Sequence, residues 1–327
     1  MTPARELASE RAWVDAGGVR QSVVLRGGGP VPVLLVHGGP GASLLPFARQ
    51  IARETALEGP FTLAYWEQRG TGRSRGRLAE ADLSLAAIVA DAVAVATWLA
   101  DRFGRPPVVV GHSWGTVVGV LLAQARPDLV AAYVGAGQVV DVCEQERRST
   151  AWARAQAEAA GDRGALRTLG RLGEPPHTAA GMLRQRAVLA RYGGVWHGHG
   201  QGALVRSGLR DYLTTPEYSL RDLWRQARDP AFSLRALMPD KLAVDLVRQA
   251  PRLGVPVWFV AGRHDQITPL ALVERYADAL VAPAGKRLAV FEHSAHLAFA
   301  EEPARFGQVV REAAGLERSP AGVSQSA

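Results

Sequence analysis

The fold of this chain is decided by the stretch VVVGHSWGTVVGVLLAQA, which runs from residue 108 to residue 125. Its first three residues form a short apolar run that is typical of a buried strand, and Val117 to Ala125 keep the apolar spacing of a helix. Ser113 therefore stands between a strand and a helix, with Gly111 and Gly115 on either side of it. A G-x-S-x-G turn in this context predicts a strained and exposed serine nucleophile.

Similar apolar runs recur along the chain, with helical patterns between them. An antiparallel hairpin is predicted from Trp13 to Leu25, closed by Gly17 and Gly18. The other predicted strands are Val31 to Val36, Phe61 to Trp66, Leu129 to Val134, Val255 to Val260 and Leu288 to Phe291. This order predicts an α/β fold with a mostly parallel central sheet flanked by helices.

The strand-helix alternation stops between residues 141 and 240. This region is rich in Arg, Ala and Gly, and it has helix-like pieces but no convincing strand. We therefore predict that residues 1–140 and 241–315 form the α/β core and that residues 141–240 form an inserted helical lid. Residues 316–327 are small and polar without periodicity, which predicts a disordered tail.

Composition narrows the range of partners. The chain has 47% hydrophobic and 21% charged residues, as an ordinary soluble globular protein has. Its net charge of +7 comes from scattered Arg without a basic run, so nucleic-acid binding is not expected. Cys143 is the single cysteine, and no segment has the character of a signal peptide or membrane span. We expect a cytoplasmic protein with a small-molecule or short-peptide substrate and no membrane partner, and the sequence leaves its oligomeric state open.

A second glycine-rich motif follows the predicted strand that ends at Val36. It reads HGGPG and covers residues 37–41. Such a loop can bring a backbone N–H close to a reacting carbonyl oxygen. We predict that the N–H groups of Gly39 and Trp114 together form an oxyanion hole.

Together these two motifs resemble the α/β-hydrolase family, and within it the prolyl iminopeptidase-like branch of serine peptidases. The stretch WEQRGTGRS, residues 66–74, is similar to the D-Q-R-G-x-G-x-S stretch of that branch, with Glu67 where Asp is usual. The resemblance covers residues 13 to 315 and is weak through the predicted lid. It implies an α/β-hydrolase fold with an inserted lid.

Two aspartates are candidates for the acid of a catalytic triad. Asp265 follows the predicted strand Val255 to Val260, and ligands bind at this end of the strands in open α/β sheets. Asp141 is the alternative, after the strand-like region that ends at Val134. The usual chain order of this fold, Ser before Asp before His, favours Asp265.

Two histidines, His293 and His296, follow the last predicted strand. The family has a small residue directly before its catalytic His, and Ala295 gives His296 that pattern. We predict that His296 takes the proton of Ser113 while Asp265 orients the imidazole.

The resemblance implies an aminopeptidase-like activity that releases an N-terminal residue, often Pro. The family recognises the free ammonium with carboxylates from the lid. The candidate carboxylates here are Glu144, Glu146, Glu174 and Glu217, although none can be aligned with the family's amine-binding residues. Candidate aromatic pocket residues in the lid, which could equally pack it onto the core, are Trp152, Trp196, Tyr212, Tyr218 and Trp224.

Other functions stay open. An esterase, lactonase or amidase for a small apolar metabolite would need no ammonium site. A catalytically silent binding protein is a third class, against which the intact motifs argue. Epoxide hydrolases and dehalogenases on this fold need Asp at the elbow, where this chain has Ser113.

No cofactor and no metal are expected. His197 and His199 form an H-x-H pattern without a third ligand at metal-site spacing. The glycine-rich loops also lack the spacing of a dinucleotide or phosphate motif.

Overall fold

The computed structural model describes residues 9–197, 206, 209–210 and 213–316. One sheet lies at its centre, and its strands are β1 (Ser9–Ala16), β2 (Val19–Gly27), β3 (Val31–Val36), β4 (Phe61–Trp66), β5 (Val108–His112), β6 (Ala132–Ala136), β7 (Val257–Gly262) and β8 (Lys286–Phe291). Their spatial order is β1-β2-β4-β3-β5-β6-β7-β8. Strand β2 is antiparallel to both neighbours, and all other neighbours are parallel. The predicted fold class is confirmed.

All the predicted strands form, with small differences at their ends. Strand β1 begins at Ser9, four residues before the predicted start of the hairpin, and β6 begins at Ala132 and not at Leu129. The later start of β6 is explained by the residues before it. The reason is local, because Pro127–Leu129 form a short 3-10 turn that a proline readily starts.

Both faces of the sheet are buried. All six residues of β3 and all six of β4 are buried. Along β5, Val109 packs into an apolar cluster on one face, while Val108 and Val110 pack into a second cluster on the other. Strands covered on both sides have apolar residues on both faces, which explains their continuous apolar runs.

Helices provide this cover. In the described residues they are α1 (Ala48–Thr55), α2 (Leu85–Phe103), α3 (Trp114–Ala125), α4 (Val142–Ala159), α5 (Arg163–Leu172), α6 (Ala179–Arg191), α7 (Leu220–Gln226), α8 (Asp229–Ala236), α9 (Met238–Leu242), α10 (Leu246–Gln249), α11 (Leu270–Ala279), α12 (Ala298–Glu301) and α13 (Pro303–Ala313). Helices α2, α3 and α11 pack on the face that includes Val109. Helices α1 and α13 pack on the opposite face.

Helices α4 to α10 lie between β6 and β7, and the described part of this insertion contains no strand. Its two ends meet at a narrow neck. Asp141 and Asp245 form an isolated antiparallel bridge there, and the Val142 N–H donates to the Val244 carbonyl at 3.2 Å. The segment predicted as a lid, 141–240, therefore begins at this neck and ends just before it closes.

Some sequence predictions fall on residues outside the described ranges. They concern the tail from 317 onward, Tyr212 and His199. Within the described ranges, no helix is long and apolar enough to cross a membrane.

A buried ion pair fixes the loop that follows β4. The Arg69 guanidinium donates twice to Asp91 of α2, with Nε–Oδ2 and Nη2–Oδ1 distances of 2.8 Å each. The Asp91 side chain is fully buried, and Arg69 also reaches the carbonyl of Gly17 in the first hairpin. This bidentate pair joins the hairpin, the loop and the longest helix of the core.

We expect Asp91→Ala to lower the free energy of unfolding by about 3–5 kcal/mol, because it leaves a buried guanidinium without its partner. Urea unfolding followed by circular dichroism measures the change. Asp128→Ala, which breaks an exposed pair with Arg126, is the control and should leave the midpoint unchanged. Equal, small shifts for both variants would contradict a structural role for the buried pair.

Candidate active site

Ser113 occupies a strained turn between β5 and α3. Its φ is +53° and its ψ is −122°, in a region that residues with a side chain rarely adopt. The turn fits only because its neighbours lack side chains. A Cβ on Gly115 would lie 2.0 Å from the Val36 carbonyl oxygen, and one on Gly111 would lie 2.6 Å from the Gly115 carbonyl oxygen. This is the strand-turn-helix arrangement that the sequence predicts, and its strain costs about 1–3 kcal/mol.

Asp265 lies in the loop after β7 and is held as an ionised carboxylate. Its Oδ1 accepts from the N–H groups of Ile267 (2.7 Å) and Thr268 (2.9 Å), and its Oδ2 accepts from the Thr268 hydroxyl at 2.5 Å. Burial raises the pKa of Asp265, but His296 and these hydrogen bonds outweigh it and hold the pKa below its usual range. The carboxylate therefore stays charged although it is almost completely buried.

His296 lies in the loop after β8, and its Nδ1 is 2.8 Å from Asp265 Oδ2. An ionised carboxylate can only accept, so Nδ1 carries the proton and Nε2 keeps a free lone pair. The two loops meet because β7 ends in a glycine: a Cβ on Gly262 would lie 2.0 Å from the Ala295 carbonyl oxygen. A side chain at that position would push the histidine loop away from the aspartate.

The alternative residues from the sequence lie elsewhere. His293 is exposed on the same loop. Asp141 caps the N-terminus of α4 and lies 3.5 Å from Arg275. The structure thus places His296, and not His293, within hydrogen-bond distance of Asp265.

Two further histidines beside the site are neutral. Burial lowers the pKa of His112 to about 3 and that of His37 to about 4. His112 Nε2 donates to the His296 carbonyl at 3.0 Å, since a carbonyl can only accept. His37 donates from Nδ1 to the Gly38 carbonyl and accepts the Gln68 N–H at Nε2, so both ring nitrogens have partners. These rings support the site without adding charge to it.

One predicted oxyanion donor is at the start of the helix that follows Ser113, and the other is in the loop after β3. Trp114 is the first residue of α3, and the first N–H groups of a helix have no acceptor within the helix. Gly39 has φ +112° in the loop after β3, and it lines the same cavity as Ser113. The indole of Trp114, in contrast, is fully buried in the core and does not line the cavity, although its position beside Ser113 suggests a pocket residue.

A cavity of about 430 Å³ opens at these groups. Its lining includes both Ser113 and His296, which the chain brings together from β5 and the loop after β8. Most other lining residues are apolar, and the full described lining is Gly38, Gly39, Ala42, Ser43, Leu44, Phe47, Gln50, His112, Ser113, Met182, Leu183, Arg186, Trp196, Leu234, Lys241, Ile267, His296, Leu297, Phe299 and Ala300. A volume of this size suits a small molecule or a short peptide.

The two predicted substrate-binding carboxylates, Glu144 and Glu217, do not line this cavity. Glu144 is on the surface of α4, where it binds Arg147 at 2.8 Å and Arg148 at 2.7 Å. Glu217 lies 2.9 Å from Arg26 of β2. Both predictions are corrected here, because each carboxylate is already paired with an arginine away from Ser113.

The other candidate carboxylates do not line it either. Glu146 is buried beside Arg186, and Glu174 is exposed. No Asp or Glu is present among the described lining residues.

Of the candidate aromatic residues, Trp196 lines the cavity. Tyr218 does not, since its buried hydroxyl donates to Glu67 Oε1 at 2.5 Å. Trp152 packs within the helical insertion, and Trp224 is exposed on α7. The predicted substrate contact stays a prediction for Trp196 and is corrected for Tyr218, which is not among the described lining residues.

Sequence reasoning missed Arg186 and Lys241, the two cations of the lining. Arg186 is one of 36 arginines and carries no distinguishing pattern. Lys241 is one of only two lysines in the chain, with Lys286, and this scarcity is the one signal that could have drawn attention to it.

Comparisons with known proteins agree with this geometry. Residues 31–303 match the family described as alpha/beta hydrolase fold. A relative from Bacillus subtilis, named probable aminopeptidase YbaC, is 30% identical over 319 residues, which cover 95% of this chain and 98% of that protein.

Solved structures share the fold at lower identity. The proline iminopeptidase of Mycobacterium smegmatis has a TM-score of 0.62 at 20% identity, covering 93% of this chain and 97% of that one. An esterase from Exiguobacterium antarcticum has a TM-score of 0.63 at 18% identity, covering 94% and 100%.

We expect Asp265→Asn to lower kcat by about 10³–10⁴-fold, because it removes the charge that orients the His296 imidazole and stabilises its protonated form. Steady-state hydrolysis of an arylamide or aryl ester substrate measures it. Asp141→Asn is the matched control: it keeps an N-cap side chain on α4 and should retain activity within about twofold. A comparable loss in both variants would leave the choice between the two aspartates without support.

Proposed function

Because the chain belongs to the α/β-hydrolase family, we propose that it is a serine hydrolase that cleaves amide bonds in the manner of an aminopeptidase. Ser113 is its nucleophile, His296 its general base and Asp265 the carboxylate that orients the base. One observation carries this proposal: a strained serine and a histidine with a free Nε2 line the same cavity, and a buried ionised carboxylate binds the other nitrogen of that histidine.

The reaction follows from these positions. His296 Nε2 takes the Ser113 hydroxyl proton as Oγ attacks the substrate carbonyl. The N–H groups of Gly39 and Trp114 stabilise the negative oxygen of the tetrahedral intermediate. The proton on His296 then passes to the leaving amine as the C–N bond breaks, which leaves an acyl group on Ser113. Water repeats these steps, releases the acid and restores the serine.

Electrostatics around His296 favour the protonated imidazole that this cycle needs. The Asp265 carboxylate binds it directly in a buried setting, where charge interactions are stronger than in water. His112 lies 4.9 Å from the His296 ring, centroid to centroid, and its lowered pKa keeps it neutral. His112 therefore adds no positive charge that would oppose the imidazolium.

The name of the Bacillus subtilis relative, which aligns over nearly the whole chain, supports an aminopeptidase function. A second candidate is an amidase or esterase for substrates without a free amine. It is favoured by the lining itself, because the described part of the cavity wall offers no carboxylate to bind an ammonium.

We expect Ser113→Ala to lower turnover of any substrate by about 10⁴-fold or more while the circular dichroism spectrum and melting temperature stay unchanged. Ser84→Ala, at the N-cap of α2, controls for the loss of a serine hydroxyl elsewhere. An active-site phosphonate followed by peptide mass spectrometry should label Ser113 alone. Persistent hydrolysis in the Ser113 variant, or label at another serine, would refute the proposed nucleophile.

The substrate type is decided by a panel of three compounds. These are alanyl p-nitroanilide, its N-acetylated twin and p-nitrophenyl butyrate, with Ser113→Ala as the blank. We expect alanyl p-nitroanilide, which has a free amine, to have a higher kcat/KM than its N-acetylated form. Equal values for both anilides would favour the amidase alternative, and turnover of the ester alone would favour an esterase.

The size of the substrate and the cellular location expected from the sequence are also proposals. We propose a small-molecule or short-peptide substrate, which the cavity volume supports. We also propose a cytoplasmic location, since the chain has one cysteine and so no intrachain disulfide to maintain.

A further inference from the structure

The charged side chains in the described cavity wall are positive, which does not favour binding of a positively charged substrate group. Two of the described lining residues, Arg186 of α6 and Lys241 of α9, have permanent or titratable positive charge. Both project from the helical insertion. The rest of the described lining is apolar or uncharged, apart from the histidines.

Lys241 is a buried ammonium without a counter-ion in contact. Its residue is 7% exposed, and none of the described residues offers an acceptor within hydrogen-bond distance of Nζ. The Trp114 ring lies beside it, with its centroid 5.6 Å from Nζ. Burial, with help from Arg186, lowers the pKa of Lys241 to about 8. An ammonium in this position is costly until a ligand with negative charge pairs with it.

Arg186 is only partly neutralised. Its guanidinium donates to Glu146 Oε1 and to the side-chain oxygen of Gln185. The other oxygen of Glu146 is buried and has no hydrogen-bond partner. Glu146 is thus one carboxylate set against two cations, Arg186 and Lys241, and the wall keeps a net positive charge.

We propose that the substrate of this site carries a carboxylate, which Lys241 and Arg186 bind while the scissile carbonyl lies at Ser113. This inference rests on the proposed serine hydrolase function and names its substrate class. The rest of the lining is mostly apolar, so it suits a substrate whose carboxylate and scissile carbonyl are joined by an apolar segment. The substrate is therefore a short amide with one anionic end.

The carboxylate can come from either side of the scissile bond. On the leaving side it is the terminal carboxylate of a short peptide or an N-acyl amino acid. On the acyl side it is the free end of a dicarboxylic acid monoamide. Both sources present the same chemistry to the two cations, and a test with two substrate pairs separates them.

Each pair compares a carboxylate with a carboxamide of the same size. The leaving-side pair is 4-(alanylamino)benzoate and 4-(alanylamino)benzamide, in which the amide of alanine is the bond to be cleaved. The acyl-side pair is glutaryl p-nitroanilide and its terminal carboxamide. We expect the wild-type enzyme to prefer the anionic member of one pair by about tenfold or more in kcat/KM, since hydrogen bonds to charged groups contribute on that scale. The pair that shows the preference identifies the source.

Variants then assign the preference to the two cations. Lys241→Met and Arg186→Gln should each reduce the ratio of anionic to neutral kcat/KM by about tenfold. The matched controls are Lys286→Met, at the other lysine, and Arg184→Gln, an exposed arginine on the same helix as Arg186. Both controls should keep the wild-type ratio. Melting temperatures check that every variant is folded.

A binding measurement covers the case in which neither amide pair is turned over. Hippurate and hippuramide, which differ only in carboxylate against carboxamide, are compared as inhibitors of p-nitrophenyl butyrate hydrolysis. We expect hippurate to bind about tenfold more tightly and to lose this advantage in Lys241→Met. Equal inhibition by both compounds, or equal turnover within both substrate pairs, overturns the inference.

The pH dependence of the ratio provides an independent readout. The groups that face Lys241 are Arg186 and Glu146, and its protonated form is lost as pH rises through about 8. In the wild-type enzyme the preference should therefore be largest below pH 8 and decline above it, whereas the smaller ratio of Lys241→Met should stay constant over this pH range.

Failure of this inference is distinguishable from failure of the proposed function. Ser113-dependent hydrolysis without an anion preference refutes the inference and leaves the serine hydrolase intact. Hydrolysis that survives in Ser113→Ala refutes the function itself.

Discussion

The close packing of the elbow against the neighbouring strand is the constraint on which the rest of the site depends. Ser113 keeps a positive φ because β5 on one side and α3 on the other leave the turn no room to relax. The α3 backbone lies so near β3 that the Val36 carbonyl oxygen would touch any Cβ at Gly115. This contact places the start of α3 beside the loop after β3. Gly39, one of the two predicted oxyanion donors, lines the same cavity as Ser113, and Trp114, the other, is the next residue in the chain.

The parallel sheet then brings the remaining groups to the same edge. Strands β5, β7 and β8 run in one direction, so the loops that follow them emerge together. A second close approach, at Gly262, presses the histidine loop onto the end of β7. Geometry of this kind is set by backbone contacts and not by side-chain adjustment, which is how a site can hold Asp265 and His296 at hydrogen-bond distance.

Sequence predicted those features whose cause is local. The elbow, the glycine-rich loop and the positions of the strands along the chain follow from short patterns, because a turn or a buried strand is encoded within a few consecutive residues. The choice of Asp265 over Asp141 depended on chain order, since both follow a strand. Substrate-binding residues were not predictable in this way. Glu217 pairs with Arg26, a partner far away in the chain that the local sequence does not reveal. Glu144 pairs with Arg147 and Arg148 of its own helix, a local spacing that the sequence does contain and that indicates a surface ion pair.

The same packing explains why the insertion presents cations to the cavity. Its carboxylates bind the core and the insertion's own arginines: Asp222 pairs with Arg73, and Asp229 accepts from the Gly72 N–H at 2.7 Å. These contacts attach the insertion to the loop that follows β4. With those carboxylates used in such contacts, the charged side chains that the described part of the insertion presents to the cavity are those of Arg186 and Lys241. An insertion that is anchored by its acids and faces the substrate with its bases selects for an anionic substrate, whichever bond Ser113 attacks.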